Sequence, residues 1–368
     1  MSAWDTAEKV LCVRLDALGD VLMCTPAMRA IKQSRPGRHV TLLSSGSGAL
    51  AAPYIPELDA VLTYPAPWVK HSAPHDSAAG AALLAQLAAQ RFDAAVIFTS
   101  YSQSALPAAL MCLQAGIPLR LAHCRENPYQ MLTDWVPDPE PGQQVRHEVQ
   151  RQLDLVASVG WRASSARLSF AVPDADLAHV RACLAQQGIA PDQPFILLHP
   201  GASAASRRYP AALWADVVQD LSRRFAWPLV VTGTSHESAL ADAIVAASGV
   251  ALLSLAGQLS LGQLGAAIRL AGVVVANNTG PAHMAAALGT PLVNLYALTN
   301  PQHTPWQVDS RLLFHDVPCR FCYKSSCPQG HHDCLAKVAP QQVVEAVRSL
   351  MWHARARYFD GGAAKPRV

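Results

Sequence analysis

Apolar runs of strand length alternate with longer helical segments along most of the chain, and this alternation constrains the fold more than any other feature. In the first half the pattern predicts strands and helices in turn, at 9–16, 20–36, 39–45, 60–65, 77–92, 93–100 and 146–160. The alternation restarts at 194–203 and continues to a last helix at 340–358. Strands and helices that alternate at this spacing form βαβ units and a parallel sheet. The sequence therefore predicts an α/β fold of two doubly wound halves.

A polar stretch that contains proline, at 161–177, interrupts the alternation and is typical of a domain junction. We predict a first domain at 1–172 and a second at 173–345, followed by a terminal helix and tail at 346–368. Open α/β sheets bind ligands outside the carboxyl ends of their strands. Ligands are therefore expected in a cleft between the two parallel sheets.

Composition narrows the class of protein. The chain has 368 residues, of which 51% are hydrophobic, and its formal net charge is +3. This length and apolar fraction are ample for two hydrophobic cores. The sequence lacks the concentrated basic patch that is typical of a nucleic-acid binder. The N-terminus shows no secretory signal and no apolar run reaches the length of a membrane span. A cytoplasmic protein with no nucleic-acid partner is expected.

Three turns in the second half share one construction, in which a strand ends, a glycine follows and a helix begins. They are HPGASAASRR at 199–208, TGTSHES at 232–238 and NNTGPAH at 277–283. Backbone N–H groups at a helix N-terminus attract phosphate oxygens, and glycine lets these oxygens come close. Arg207 and Arg208 could add positive charge, and Glu237 could accept hydrogen bonds from ribose hydroxyls. The alternative is that such loops need glycine for their backbone alone. Three together favour a nucleotide site, although neither a P-loop nor a G-x-G-x-x-G motif is present.

The first half contains a counterpart, VRLDALGDVLMCTPAMRAIK at 13–32, in which Gly19 and Asp20 close the first strand–helix turn. Aspartate is a preferred residue at the start of a helix, so Asp20 could be a cap only. It could also be a carboxylate that the helix dipole keeps ionised and that acts as a general base.

Taken together, these motifs resemble glycosyltransferase family 9, the ADP-heptose lipopolysaccharide heptosyltransferases. The resemblance rests on the segments above and on LAGQLSLGQLGAAIRLAGVVVANNTGPAHMAAALGTPLVNLYALTNP at 255–301, and it spans residues 9 to about 350. It implies a GT-B fold of two Rossmann-like domains, with the acceptor on the N-terminal domain and the nucleotide-sugar donor on the C-terminal one. It also implies an inverting, metal-independent transfer of heptose from ADP-heptose to a lipid-linked lipopolysaccharide core, with no cofactor required.

Carried over by position, the resemblance assigns catalytic roles to Asp20, as general base, and to Arg207, which stands where the family typically has a lysine against the donor phosphates. The remaining donor-binding residues are Gly201, Ser203, Glu237, Asn278, Thr279, Gly280 and His283. Asn278 departs from the family, which usually has aspartate before this turn, so another nucleotide-sugar or a protein or small-molecule acceptor stays open, as does a silent nucleotide-sugar-binding protein. His283 is expected to contact phosphate or support the turn, the alternative being a packed or capping residue.

Four of the nine cysteines cluster near the C-terminus, in CRFCYKSSCPQGHHDC at 319–334. Cys319, Cys322, Cys327 and Cys334 could form a structural zinc or iron site, and disulfides or free thiols are the alternatives. The lipid-linked acceptor implied by the resemblance also predicts peripheral contact with the cytoplasmic face of the inner membrane. Arg29, Lys32, Arg35 and Arg38 could supply that contact or could be an ordinary solvated helix face.

Overall fold

The computed structural model describes residues 2–70 and 76–359, and it divides the chain into two compact units, the first ending at Ala171 and the second beginning at Val172. The first unit contains twelve strands and α-helices among these residues. In chain order they are α1 (Ala3–Thr6), β1 (Lys9–Arg14), α2 (Leu18–Gln33), β2 (His39–Ser44), α3 (Gly46–Ala49), β3 (Ala60–Thr63), α4 (Ser77–Gln90), β4 (Ala94–Ile97), α5 (Leu106–Gln114), β5 (Leu119–Cys124), β6 (Asp134–Pro137) and α6 (Glu148–Ala157).

All six strands of the first unit form one parallel sheet in the order β3-β2-β1-β4-β5-β6. The chain builds outward from β1 to β3 and then returns to place β4 on the other side of β1. Strands β1, β2 and β4 are almost entirely buried because helices cover both faces, which explains their continuous apolar sequences. The order reverses between β1 and β4, and this switch point is where such a sheet opens a ligand crevice.

The second unit repeats this plan with thirteen strands and α-helices among its described residues. They are α7 (Asp174–Gln186), β7 (Ile196–His199), α8 (Ala211–Arg224), β8 (Leu229–Val231), α9 (Ser238–Ser248), β9 (Leu253–Ser254), α10 (Leu261–Leu270), β10 (Val273–Asn277), α11 (Gly280–Leu288), β11 (Leu292–Leu295), β12 (Ser310–Leu313), α12 (Asp333–Ala336) and α13 (Pro340–Phe359). Its parallel sheet has the order β12-β11-β10-β7-β8-β9, so the switch point lies between β7 and β10.

The C-terminal helix α13 belongs to the core of the second unit. Its Val343, Val347 and Leu350 are fully buried and pack in the same apolar cluster as Trp214 of α8. The helix begins at Pro340, and the cluster removes its apolar face from water, which stabilises a helix that its sequence alone would not. The tail expected after this helix, 360–368, lies outside the described residues.

The elements that the sequence predicts are present, with boundaries shifted by a few residues. The sequence did not predict α1, α3, α5, β5, β6, α7, β9, β12 and α12. Four of these are short strands at or next to the edges of the sheets, where pairing with a neighbouring strand decides the conformation more than local pattern does. Within residues 2–70 and 76–359, no helix combines the length and the hydropathy that a membrane crossing requires.

Candidate functional site

Two of the three glycine turns of the second unit meet at the switch point between β7 and β10. Asn277, the last residue of β10, is fully buried, and its amide nitrogen donates to the carbonyl oxygen of Pro200 at 2.7 Å. Its amide oxygen accepts from the N–H of Tyr209 at 3.2 Å. Asn277 therefore locks the turn that carries Gly201 onto the turn that carries Thr279. The sequence interpretation assigned no role to this residue.

At the third predicted turn, Thr279 and Gly280 are accessible, as their predicted roles require, whereas Asn278 and His283 are buried. Thr279 precedes α11 in an extended conformation, and Thr279 and Gly280 are half-buried at the first turn of this helix. Asn278 is buried, and its amide oxygen accepts from the N–H of Ala297 at 3.2 Å. An aspartate could accept the same hydrogen bond, which explains how asparagine fits this position. His283 is 6% exposed inside α11, and this burial favours support of the turn over contact with phosphate.

Arg207 is held against the same pair of turns. It ends a short 3-10 turn, Ala205–Arg207, and its Nη1 donates to the carbonyl oxygen of Asn278 at 3.4 Å. Its neighbour Arg208 is exposed and donates from Nε to the carbonyl oxygen of Ala202 at 2.7 Å. Ser203, between them and Gly201, is exposed. Of the two arginines, Arg207 is therefore the one that bridges the β7 and β10 turns.

The turn after β8 lies against the Gly201 turn through the side chain of Glu237. Its Oε2 accepts from the N–H and the hydroxyl of Thr234, at 2.8 and 2.9 Å, which closes a capping box. Its carboxylate lies so close to Gly201 that a Cβ atom added to this glycine would collide with it. His199, fully buried at the end of β7, lies 3.9 Å from Glu237 Oε2, and burial lowers the pKa of His199 against the opposing pull of Glu237. Burial thus favours the neutral form of His199, and the Glu237 carboxylate lies against the Gly201 turn.

In the first unit, Asp20 is the third residue of α2 and lies beside the carboxyl end of β1. Its Oδ2 accepts from the N–H of Ala17 at 3.2 Å, which is the capping role. Its Oδ1 accepts from Arg14 Nη2 at 3.2 Å, and the side chain remains 21% exposed. Capping and proton transfer are compatible here, because neither contact covers the carboxylate completely.

Asp20 belongs to a cluster of three carboxylates around one buried guanidinium. Arg14 is 1% exposed and pairs with Glu148 at 2.7 Å, Asp16 at 2.8 Å and Asp20 at 3.2 Å. Burial raises the pKa of Asp16, Arg14 opposes that rise, and the negative charge of Asp20 adds to it. The sequence interpretation missed Arg14, Asp16 and Glu148 as site residues. An arginine at the end of the strand KVLCVR, directly after the apolar run VLCV, was the available signal for the first of them.

The cysteine segment 319–334 contacts the Arg207 turn directly. Ser206 donates from its N–H to the carbonyl oxygen of Ser325 at 2.9 Å and from its hydroxyl to that of Lys324 at 2.7 Å. The Nε2 of His332 lies 2.8 Å from the carbonyl oxygen of Ser206 and donates to it. The segment therefore supports the turn that ends at Arg207, a role that the sequence did not indicate.

The expected zinc or iron site is not supported. Cys319, Cys322, Cys327 and Cys334 line one small cavity of about 20 Å³ and all four are free thiols. In the described part of the chain, no group of three or more His, Cys, Asp or Glu side chains is arranged to hold a metal ion. Burial raises the pKa of Cys334, and the three other cysteines add to the rise.

The basic residues proposed for membrane contact are engaged inside the first unit. Arg38 is fully buried, with its guanidinium over the Trp161 ring and donating to backbone carbonyls that include those of Ala7 and Ile31. Arg29, Lys32 and Arg35 pair with Glu57, Asp59 and Glu8, at 2.9, 2.5 and 2.7 Å. Arg38 therefore does not belong to a solvated or membrane-facing stripe. Arg29, Lys32 and Arg35 form ion pairs within the first unit, and membrane contact through them stays a prediction.

Known proteins resemble this chain in sequence and in fold. A curated relative, lipooligosaccharide heptosyltransferase 2 of Campylobacter jejuni, is 26% identical over 159 residues, which cover 42% of this chain and 50% of the relative. The chain thus spans about half the length of the curated relatives that it matches first. The crystal structure of the glycosyl transferase family 9 from Veillonella parvula superposes with a TM-score of 0.77 at 17% identity, over 96% of this chain and 99% of that one. The structure of E. coli ADP-heptose lps heptosyltransferase II superposes with a TM-score of 0.73 at 23% identity, over 95% and 100%.

These structural likenesses confirm the predicted α/β, GT-B fold class. The sequence model of glycosyltransferase family 9 (heptosyltransferase) matches residues 81–332, which is more than half of the chain. Asp20 follows a strand end of the first unit, and the glycine turns with Arg207 follow strand ends of the second. The chain belongs to glycosyltransferase family 9, the heptosyltransferase family.

Proposed function

We propose that this protein transfers a heptose from ADP-heptose to a lipid-linked glycan of the lipopolysaccharide core, with inversion and without a catalytic metal. The observation that carries the proposal is the switch point of the second sheet. There, the Gly201 turn, the first turn of α11 and the Arg207 guanidinium adjoin one another, and Glu237 flanks them. A helix N-terminus and a guanidinium suit a diphosphate, and a carboxylate that accepts hydrogen bonds suits a ribose.

The chemistry assigned to each unit follows from these groups. In the first unit, Asp20 takes the proton from an acceptor hydroxyl as the hydroxyl oxygen attacks the anomeric carbon of the donor. The bond from that carbon to the diphosphate oxygen breaks, and the electron pair leaves on the nucleoside diphosphate. In the second unit, Arg207 and the amides of α11 stabilise the charge that develops on the leaving group. Attack from the face opposite the diphosphate inverts the anomeric centre.

The acceptor proposed here is attached to a lipid, so we also propose contact with the cytoplasmic surface of the inner membrane. Because Arg38 is fully buried in the first unit, that contact would not use it.

The decisive experiment is a transfer assay with the full chain, run in the presence of a chelator. Calorimetry against ADP, UDP, GDP and CDP would identify the nucleotide first, and ADP is expected to bind with the lowest Kd. ADP-heptose would then be offered with a core oligosaccharide acceptor, and the anomeric configuration of the product would be read by NMR. Retention of configuration, or nucleotide binding without turnover on any acceptor, would contradict the proposal.

Replacing Arg207 with alanine is expected to lower kcat by about a hundredfold, because it removes one preorganised cation from the leaving group. Arg207→Lys should recover only part of the loss, since an ammonium cannot reproduce the geometry of the guanidinium fork. Arg208→Ala is the matched control, because the same residue type one position later does not reach the Asn278 turn. Equal losses in both alanine variants would show that Arg207 has no special role.

Gly201→Ala is expected to weaken nucleotide binding by about tenfold, because its Cβ displaces the Glu237 carboxylate that should hold the ribose. Glu237→Ala should weaken binding to the same extent. In the Glu237→Ala background, adding Gly201→Ala should then have little further effect, which a double-mutant cycle measures. Gly46→Ala, at a position where a Cβ meets nothing within 4 Å, is the control. Additive losses in the cycle would show that Gly201 and Glu237 act independently, which would contradict this prediction.

A further inference from the structure

The four cysteines of the segment 319–334 surround one small cavity of the second unit. Cys319, Cys322, Cys327 and Cys334 all line it, its volume is about 20 Å³, and none of the four is in a disulfide. A space of this volume holds about one water molecule and no organic ligand. All four side chains are half-buried, so reagents in solution can reach them. The chemistry that this site offers is therefore chemistry between thiols.

Cys319 has an imidazole beside its sulfur. The Sγ of Cys319 lies 3.9 Å from the Nε2 of His331. The Nδ1 of the same ring accepts from the N–H of Asp333 at 2.9 Å, so Nε2 carries the hydrogen and directs it at the sulfur. A thiolate is the form that attacks a disulfide, and an N–H donor stabilises its charge. Cys319 is therefore positioned to be the attacking thiol.

Cys322 follows at the spacing that thiol–disulfide exchange uses. Cys319 and Cys322 form a C-x-x-C sequence, in which one thiol attacks and the other resolves the mixed disulfide. Both residues line the same cavity. The chain turns at this point, because the N–H of Arg320 donates to the carbonyl oxygen of Val317 at 3.2 Å. Cys322 is therefore the expected resolving thiol.

The residues directly after Cys322 hold the turn of Arg207. The carbonyl oxygens of Lys324 and Ser325 accept from the hydroxyl and the N–H of Ser206, at 2.7 and 2.9 Å. A covalent bond between two sulfur atoms draws them closer than any non-bonded contact allows. Closing a disulfide at Cys322 should therefore shift the two carbonyls and, through Ser206, the guanidinium of Arg207.

We propose that Cys319 and Cys322 are an oxidation site at which a low-molecular-weight disulfide reversibly lowers the rate of sugar transfer. The inference rests on the proposed function, to which it adds regulation. The Cys319 thiolate attacks one sulfur of the small disulfide, a mixed disulfide forms and one small thiolate leaves. The Cys322 thiolate then attacks the Cys319 sulfur, the internal disulfide forms and the second small thiolate leaves. Two protein thiols are oxidised, the small disulfide is reduced to two thiols, and these take up the two protons.

The test begins with the reduced full chain, which is incubated with glutathione disulfide, alkylated with iodoacetamide and digested with trypsin. Trypsin cleaves between Cys319 and Cys322 and again before Cys327, so the proposed bridge joins the peptides that end at Arg320 and Lys324. Mass spectrometry should find this joined pair after oxidation. Dithiothreitol should release the two peptides.

The oxidised protein is expected to transfer sugar with a kcat at least tenfold below that of the reduced protein, because misplacing a catalytic group by about 1 Å can cost about a hundredfold. Dithiothreitol should restore the rate. Each variant is compared with its own reduced form, so an effect of the substitution on folding cancels. Cys319→Ser should keep its rate with glutathione disulfide present. Cys322→Ser should accumulate the glutathione mixed disulfide on the peptide of Cys319.

Cys183→Ser is the matched control, because the Sγ of Cys183 also lies beside an imidazole, 3.6 Å from the Nε2 of His179, but on α7 and outside the cluster. It should respond to oxidation as the wild type does. The inference is overturned if the bridge between Cys319 and Cys322 does not form, or if the bridged protein transfers sugar at the rate of the reduced one. Bridge formation is read without donor or acceptor. Intact transfer with no bridge therefore removes only this inference, whereas a bridge in a chain whose reduced form transfers no sugar to any acceptor removes the proposed function.

Discussion

Replacing Asp20 with alanine is expected to lower kcat for sugar transfer by about a thousandfold, the middle of the range for loss of a general base. The acceptor hydroxyl must lose its proton as it attacks, and in the first unit the Asp20 carboxylate is the group assigned to take it. Calorimetry should show nearly unchanged nucleotide affinity, because the residues proposed to bind the donor belong to the second unit. The rate is measured under saturating donor and acceptor.

The capping contact of Asp20 must be separated from its role as a base. Asp20→Asn keeps an oxygen that can accept from the N–H of Ala17, so the helix should remain capped while the base is lost. Asp5 is the matched control: it is also the third residue of a helix, and its carboxylate accepts from the N–H of the capping residue Ser2 at 2.6 Å. Asp5→Ala should leave the rate unchanged. An Asp20→Asn variant with full activity would reject Asp20 as the base.

Arg14→Ala is expected to destabilise the first unit by about 3–5 kcal/mol at pH 7, which is typical when one partner of a buried ion pair is removed. The substitution leaves Glu148, which is completely buried, and Asp16 without their counter-charge. Urea denaturation followed by circular dichroism measures the loss. Arg35→Ala removes an exposed pair with Glu8 in the same unit and should cost at most about 1 kcal/mol.

The effect of Arg14→Ala should depend on pH in a defined direction. Burial raises the folded-state pKa of Asp16 above its unfolded value, and Arg14 is the main influence that opposes this rise. Without Arg14 the folded-state pKa of Asp16 rises further. The destabilisation therefore develops as pH increases from the unfolded-state pKa through the raised folded-state pKa, and it is absent below the unfolded-state pKa. The difference in unfolding free energy between variant and wild type should therefore shrink on acidification from pH 7 to pH 5. A difference that stays constant, or a loss below 1 kcal/mol at pH 7, would contradict the role given to this cluster.

Local patterns in the sequence determined the larger features of this protein. The alternation of apolar strands with helices is sufficient to predict the two parallel sheets, because the periodicity of each element is a property of neighbouring residues. The glycine turns and the Gly19-Asp20 turn can be predicted for the same reason. A strand that ends in a short turn before a helix must place its turn at the carboxyl edge of the sheet.

Contacts between distant residues were decided only by the tertiary structure. Glu148 reaches Arg14 across 134 positions of sequence, and Ser206 meets Lys324 across 118. A pocket lined by Asp16, Trp68 and Gln103 is assembled from three separate loops that only the order of the sheet brings together. The cysteine spacing suggested a metal site, yet the fold leaves these side chains as free thiols against the Arg207 turn, because the position of a side chain depends on packing and not on spacing alone.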